Sequence, residues 1–169
     1  MTHQTHRWRG SATLEMTLVG IPLIFVLIST FEMARGMWIY HTLAYATRAG
    51  TRFAVVHGQN CSVAGNNCAV TRATIAGVIQ SAGLGLDPGL LKVQMKSLSE
   101  DTGLVTLASL LNDSATFPTG AGAVQQAPIT VYAQYPFQSA ISMFWPGARG
   151  GIQFGSFALP ASSQERVQF

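Results

Sequence analysis

Residues 16–31 read MTLVGIPLIFVLISTF and carry no charged side chain between Glu15 and Glu32. A helix that crosses a bilayer needs about 20 apolar residues, a length that this run reaches when it is counted back to Ser11 with Glu15 as its single charge. The core of a secretory signal peptide is shorter, roughly 7 to 15 residues, and precedes a site of small residues that EMARG at 32–36 does not match. We therefore predict a retained membrane-spanning helix. A removed signal peptide and a buried core helix are the alternatives.

The overall composition narrows the class of protein. The chain has 169 residues, of which 48% are hydrophobic and only 10% charged. A soluble domain averages about 25% charged residues, so the apolar excess favours a membrane-anchored protein with about one domain's worth of chain. The net charge of +3 comes from ten Lys and Arg against seven Asp and Glu. These basic residues are not clustered in the sequence, and we expect no nucleic-acid partner.

The helical pattern continues beyond the apolar run. Apolar or small residues recur at spacings of four and three, the stripe of a helix that packs along one side: Ile39, Leu43, Ala46, Gly50 and Phe53. A polar stripe of similar spacing runs beside it: His41, Tyr45, Arg48 and Arg52. Residues 11–56 are therefore predicted to form one helix about 70 Å long at about 1.5 Å per residue. We expect a kink at Pro22, because proline removes a backbone hydrogen bond.

Patterns in residues 58–169 predict a small helix and a sheet. A helix is predicted at 69–81, where Val70, Ile75 and Val78 have near-helical spacing. Three runs have the alternation or the β-branched and aromatic content of half-buried strands: 91–98, 129–137 and 152–159. Two glycine-containing stretches are predicted surface loops: 116–127 and 145–151. The fold class is α+β: a long N-terminal helix, half of it transmembrane, followed by a small helix and an antiparallel-sheet domain.

The two cysteines, Cys61 and Cys68, are separated by SVAGNN, a Gly- and Asn-rich segment that can turn the chain back on itself. A disulfide between them would place this side of the protein in an oxidising compartment. Two free thiols are one alternative. A metal site that includes His57 is another, although a structural zinc ion normally has four ligands and only three candidates lie here. We predict the disulfide and no metal.

Catalytic motifs are scarce. No histidine follows Cys61, so a Ser-His-Asp or Cys-His site would have to be assembled from distant regions. The sequence contains no P-loop, dinucleotide fingerprint or HExxH zinc motif. Asp101 and Asp113 are interpreted as solvated turn carboxylates rather than as a glycosidase pair. We therefore expect no enzyme and no cofactor, and a small anchored hydrolase is the competing interpretation.

A short basic leader precedes the apolar run. Arg9 and Gly10 are followed by Ser11, and Glu15 lies at the start of the helix. A carboxylate inside a membrane is costly unless it has a partner, so such a residue is functional by default. Cutting the chain after Gly10 would give Ser11 a positive amino group, one turn from Glu15 or on a neighbouring subunit. The alternative is that Glu15 marks the end of the helix and reaches the headgroups.

Three stretches of this chain resemble the TadE-like family of pseudopilins in bacterial tight-adherence (Flp, type IV-related) pilus systems: RGSATLEMTLVGIP at 9–22, FEMARG at 31–36 and ATRAGTRFA at 46–54. The resemblance covers about residues 10–56. It implies a minor pilin-like subunit whose leader is removed by prepilin peptidase between Gly10 and Ser11. It also implies a single-pass protein of the bacterial inner membrane with a periplasmic C-terminal domain. Incorporation in the pilus is a further expectation.

The resemblance also assigns roles to parts of the chain. It implies a leader peptide at 1–10, a TadE-like transmembrane and extended helix at 11–57, and a periplasmic strand-rich domain at 58–169. The resemblance implies that the residues at matching family positions set the register and assembly of subunits: Glu15, Pro22, Glu32, Arg35, Arg48, Gly50 and Arg52. Apart from the resemblance, Arg48 and Arg52 lie at i and i+4 on one helix face, where like charges repel, and we expect them to lie beyond the membrane and to meet carboxylates of the outer domain or of a partner pilin.

The implied partners are prepilin peptidase, other pilins and pseudopilins, the pilus assembly machinery and the lipid bilayer. The implied role is to initiate, tip or regulate the assembly of a thin adhesive pilus. The competing interpretation is an unprocessed, membrane-anchored periplasmic adhesin or binding protein.

Overall fold

A computed structural model describes residues 11–58, 70–139 and 156–168 of the chain. In these ranges the helices are α1 (Ser11–Val56), α2 (Arg72–Ala82) and α3 (Leu107–Leu110), with a 3₁₀ turn at Gly120–Ala123. The strands are β1 (Lys92–Lys96), β2 (Val105–Thr106), β3 (Pro128–Gln138) and β4 (Ser156–Arg166). The predicted α+β class, with a long N-terminal helix and an antiparallel sheet, is confirmed.

Helix α1 is the single rod that the sequence predicts, and it continues through Pro22. Its lower part, residues 12–31, leaves its apolar side chains exposed, with Leu18 at 77% and Phe25 at 54%. Among the residues that the structure describes, α1 is the one helix long and apolar enough to cross a membrane, and its 18-residue window of mean hydropathy 2.0 is 0% buried. A core helix of a soluble protein would be mostly buried, so that alternative is wrong.

The described strands form an antiparallel sheet in the order β2-β1-β3-β4. The register pairs Val93 of β1 with Ala133 of β3, and Val131 of β3 with Ser163 of β4. Successive side chains of a strand point to opposite faces, and one face is buried at every second position of β1 and of the first half of β3: Val93, Met95, Ile129, Val131 and Ala133. The sheet therefore has one core face, which needs a cover.

Helices α1 and α2 supply that cover. The β3–β4 hairpin lies along the upper part of α1, residues 36–56, and just beyond β4 the N–H of Gln168 donates to the carbonyl of Val55 at 3.1 Å. The predicted apolar stripe of α1 is buried or partly buried: Ile39, Leu43, Ala46, Gly50 and Phe53. The predicted polar stripe is exposed: His41, Tyr45, Arg48 and Arg52. The upper part of α1 is thus an element of the core.

Helix α2 begins at an N-cap, Thr71, whose side-chain oxygen accepts a hydrogen bond from the N–H of Thr74 at 3.2 Å. Ile75 and Ile79 of α2 pack against α1 next to Gly50. A Cβ placed on Gly50 would lie 2.5 Å from Cγ1 of Ile79, closer than real Cβ atoms approach other atoms. Glycine therefore permits the short distance between α1 and α2.

The last strand differs from its prediction. β4 is Ser156–Arg166 rather than 152–159, and it continues through Pro160. Proline is tolerated because β4 is an edge strand among the described strands, where a residue whose backbone points outward needs no N–H donor. The predicted loop at 145–151 and the start of the predicted strand lie outside the described residues.

The predicted surface loop at 116–127 contributes to the core. Phe117 is fully buried, and its N–H donates to the carbonyl of Val70 at 3.1 Å. This stretch also contains the 3₁₀ turn. No sequence pattern predicts β2 and α3, because each is too short to display a period.

We expect Gly50→Val to destabilise the folded protein by about 1–3 kcal/mol, the usual cost of forcing extra atoms into a packed core. The new side chain would meet Ile79, which is fully buried and has little room to move. Gly77→Val is the matched control: Gly77 also lies inside a helix, and no described neighbour lies within 4 Å of its Cβ position. Urea unfolding of the detergent-solubilised chain measures both variants, and equal midpoints would contradict the close contact.

Candidate functional site

Glu32 and Arg35 lie where the exposed lower part of α1 meets the β3–β4 hairpin. The Arg35 guanidinium donates a hydrogen bond through Nη2 to the carbonyl of Gln138, the last residue of β3. It also lies 3.7 Å from Oε2 of Glu32 and 4.8 Å from the centre of the Phe137 ring. A charge-assisted hydrogen bond, an ion pair and a cation–π contact thus converge on one side chain. Arg35 fixes the lower end of the hairpin to the helix.

Aromatic rings extend this contact. The Phe137 ring lies 3.6 Å from the position where Gly36 would carry a Cβ, so the ring approaches the helix backbone. Phe157 of β4 lies beside it, with ring centres 5.1 Å apart, and remains 53% exposed. An open, largely apolar groove results between helix and hairpin, and its apolar lining is as follows: Met33, Met37, Tyr40, Phe137, Phe157 and Leu159.

A second group of motif residues lies higher on α1. Gly50 is buried against α2. Nε of Arg52 lies 3.6 Å from Oε1 of Glu165 on β4, which confirms the expectation that Arg52 meets a carboxylate of the outer domain. The Arg52 side chain is 76% exposed, so solvent screening leaves this pair worth about 0–1 kcal/mol. Arg48 is exposed, and the described residues form no ion pair with it.

The motif residues nearest the N-terminus occupy the lower part of α1. Glu15 and Pro22 are exposed there. Ser11 is the first residue of α1, and Gly10 lies outside the described residues. Cleavage between Gly10 and Ser11 therefore stays a prediction, as do the assembly roles assigned to the motif residues.

The predicted disulfide between Cys61 and Cys68 also lies outside the described residues and stays a prediction. His57, the third candidate of the alternative metal site, stacks on Phe53 with ring centres 4.3 Å apart, and its Nδ1 lies 2.8 Å from the Phe53 carbonyl. Within residues 11–58, 70–139 and 156–168, no three His, Cys, Asp or Glu side chains are grouped so that they could hold a metal ion.

Two acidic side chains in loops of the sheet domain bind to Arg72 of α2. Nη2 of Arg72, at the start of α2, lies 2.7 Å from Oε2 of Glu100, and Nη1 of Arg72 lies 2.9 Å from Oδ2 of Asp113. Glu100 also accepts a hydrogen bond from the N–H of Thr119 at 2.9 Å. The N–H of Ala115 and the Arg72 guanidinium, by donating to Asp113, hold the pKa of that carboxyl below its ordinary value. Asp113 is therefore part of a structural ion network, more than the solvated turn carboxylate that the sequence predicts.

The sequence does not predict the partners of Arg35. Gln138 is 103 residues away along the chain, and the period of β3 only places Phe137 on the core side of the sheet. No local pattern links a helix residue to a strand at that distance. Arg35 itself is the sequence signal for such a contact, because a cation at the end of an apolar run is costly unless it has a partner.

The geometry defines a class of protein: one long helix that is apolar and exposed over its lower part and carries an antiparallel sheet on its upper part. Residues 10–52 match the family model described as TadE-like protein. The match covers 43 of the 169 residues and includes every motif position from Glu15 to Arg52. The resemblance to the TadE-like family is confirmed over this segment, and it associates the chain with tight-adherence pilus systems and their pilins. Neither the curated proteins nor the solved structures yield a match to the chain.

We expect Arg35→Ala to loosen the lower end of the hairpin, because it removes the bond to the Gln138 carbonyl and the contact with Phe137. Amide hydrogen exchange at the end of β3 should accelerate by a factor of about 5–30, equivalent to about 1–2 kcal/mol. Arg48→Ala is the matched control on the same helix and should leave this exchange unchanged. The anchoring role of Arg35 is wrong if the two variants exchange at the same rate.

Proposed function

We propose that this chain is a minor pseudopilin that takes part in the biogenesis of a tight-adherence (Flp, type IV-like) pilus. One observation carries the proposal: the TadE-like match at 10–52 coincides with a single helix, Ser11–Val56, whose lower part is exposed and apolar. Such a helix can be held in a bilayer and later packed against the helices of other subunits. In this role the chain is a structural subunit and performs no catalysis.

In this proposal prepilin peptidase cuts between Gly10 and Ser11. The position is supported by the TadE-like match, which begins at Gly10. A leader that contains Arg7 and Arg9 precedes the pair, and Glu15 becomes the fifth residue of the processed chain. The cut leaves a positive amino group at the end of the apolar helix.

The proposed topology is a single pass through the bacterial inner membrane, with the sheet domain in the periplasm. The exposed lower part of α1 supports a span of the required length. A disulfide between Cys61 and Cys68 would fit the oxidising periplasm. The sheet domain would then be available for contacts with other pilus proteins from the moment of insertion.

In this proposal, charged groups on the lower and upper parts of α1 direct how one subunit packs against the next. A carboxylate in hydrocarbon is costly unless it is paired, and the Ser11 amine of a neighbouring subunit is a suitable partner for Glu15. Such a pair fixes how far one helix is shifted along the next. Arg48, exposed on the upper part, offers a second charged contact to a neighbouring pilin outside the membrane.

Gly10→Val should block processing, because a peptidase pocket that closely surrounds the backbone before the cut cannot accept a branched side chain. The variant should keep its ten-residue leader and run as the larger species on an immunoblot. Gly20→Val is the matched control, since no described neighbour lies within 4 Å of the Cβ position of Gly20, and it should be processed normally. If wild-type protein from piliated cells begins at Met1, the pseudopilin proposal is wrong and the unprocessed adhesin takes its place.

Glu15→Leu should be inserted and cut normally but should assemble poorly. Removing the carboxylate makes the helix more lipid-soluble, whereas the Ser11 amine loses its partner. Glu15→Asp keeps the charge and should retain more assembly. Electron microscopy of pili, combined with N-terminal sequencing, separates this defect from that of Gly10→Val, and normal piliation of Glu15→Leu would contradict the register role.

A further inference from the structure

Three large aromatic side chains are exposed where α1 meets the lower end of the hairpin. Trp38 is 65% exposed, Tyr40 46% and Phe157 53%. Phe157 belongs to this level because it lies beside Phe137, whose ring contacts α1 at Gly36. We call Trp38, Tyr40 and Phe157 the aromatic collar. A group of exposed rings at one level indicates an interaction surface.

The aromatic collar lies just beyond the apolar run of α1. A hydrocarbon core is about 30 Å thick, and about 40–45 Å with its headgroups, which leaves a headgroup layer of about 5–7 Å on each side. A span centred on residues 16–31 ends near residue 33, so the backbone of Trp38 lies about 7 Å beyond the hydrocarbon. Helical side chains lean toward the N-terminus. In α1 that direction is toward the apolar run, which brings the rings of Trp38 and Tyr40 closer to it.

The collar lies on two opposite sides of α1 instead of on one. Trp38 and Tyr40 are two residues apart, and at about 100° per residue they point to nearly opposite sides of the helix. Phe157 lies on the same side as Tyr40, since both line the groove between helix and hairpin. A protein that docks on one face would favour rings on that face, whereas a lipid surface meets the helix from every side. Trp and Tyr also combine an apolar ring with a polar N–H or O–H, a combination that suits the headgroup layer.

We propose that the aromatic collar rests in the phospholipid headgroup layer of the bilayer that α1 crosses, so that the lower end of the β3–β4 hairpin lies on the membrane surface. Arg35, 47% exposed at the same level, adds a cation that can contact lipid phosphates. The inference rests on the proposed function in one respect, that α1 spans a membrane. It adds a second membrane contact, made by the sheet domain itself.

Tryptophan quenching in vesicles tests this placement. The chain has three Trp residues, so Trp8→Phe with Trp145→Phe leaves Trp38 as the single reporter. The full chain is reconstituted into vesicles of phosphatidylcholine and phosphatidylglycerol that carry a nitroxide either on the headgroup or deep in the acyl chain. Trp38 should be quenched more strongly by the headgroup nitroxide. Phe157→Trp, in a chain whose three native Trp are replaced by Phe, should behave in the same way.

Two further reporters in that Trp-free chain serve as controls. Tyr45→Trp is matched to Trp38: both native side chains are 65% exposed, and Tyr45 lies two turns further along the same side of α1, about 10 Å higher. It should escape both quenchers. Phe25→Trp reports the span itself and should be quenched by the acyl-chain nitroxide.

The outcomes distinguish failure of this inference from failure of the proposed function. If Phe25→Trp is quenched in the acyl region while neither Trp38 nor Phe157→Trp is quenched at all, the span stands and the collar proposal is overturned. Equal headgroup quenching of Trp38 and Tyr45→Trp also overturns it, because the collar would then mark no particular level. If Phe25→Trp is not quenched by the acyl-chain nitroxide, the membrane span fails, and the proposed function fails with it.

Discussion

The packing of the upper part of α1 against α2 and the β3–β4 hairpin is the contact on which the rest of the structure depends. Leu43, Ala46 and Ala54 expose none of their surface, and Gly50 brings α1 so close to Ile79 that a larger residue would collide. Without this half of the helix the core face of the sheet would be open to solvent. The same helix continues downward with side chains that no described residue covers. One element is therefore both part of a core and an apolar surface.

The residues of the TadE-like segment divide by what they contact. Arg35 and Gly50 contact the hairpin or α2 and so help to fix the shape of a single subunit, whereas the exposed pair between Arg52 and Glu165 adds little. Pro22 and Arg48 are exposed and are accessible to neighbouring molecules. A motif match alone does not separate these groups, because both lie on one helix at helical spacing. Substitutions in the first group would therefore act on assembly through the fold of the subunit.

Periodicity explains which parts of the fold the sequence predicts. Helix α1 and its buried side are predictable because their pattern repeats over many turns, and β3 because its alternation is clear. β4 is less so, since Pro160 reads as a break although an edge strand accepts it. The contact between Arg35 and Gln138 depends on how the hairpin is placed on the helix. That placement is set by the shapes of the packed side chains, about which a local pattern carries no information.

Helix α1 is continuous between its two parts, and its upper part is held by α2, by the hairpin and by Arg35. It therefore cannot turn about its own axis independently of the sheet domain. Each helical residue points about 100° away from the previous one. The orientation of the sheet domain about the helix axis therefore determines which side of the lower part of α1 faces a neighbouring molecule. A torque applied to the domain is transmitted along the backbone hydrogen bonds of α1 at least as far down as Pro22. The sheet domain thus sets the angular position of a helix surface that it never touches.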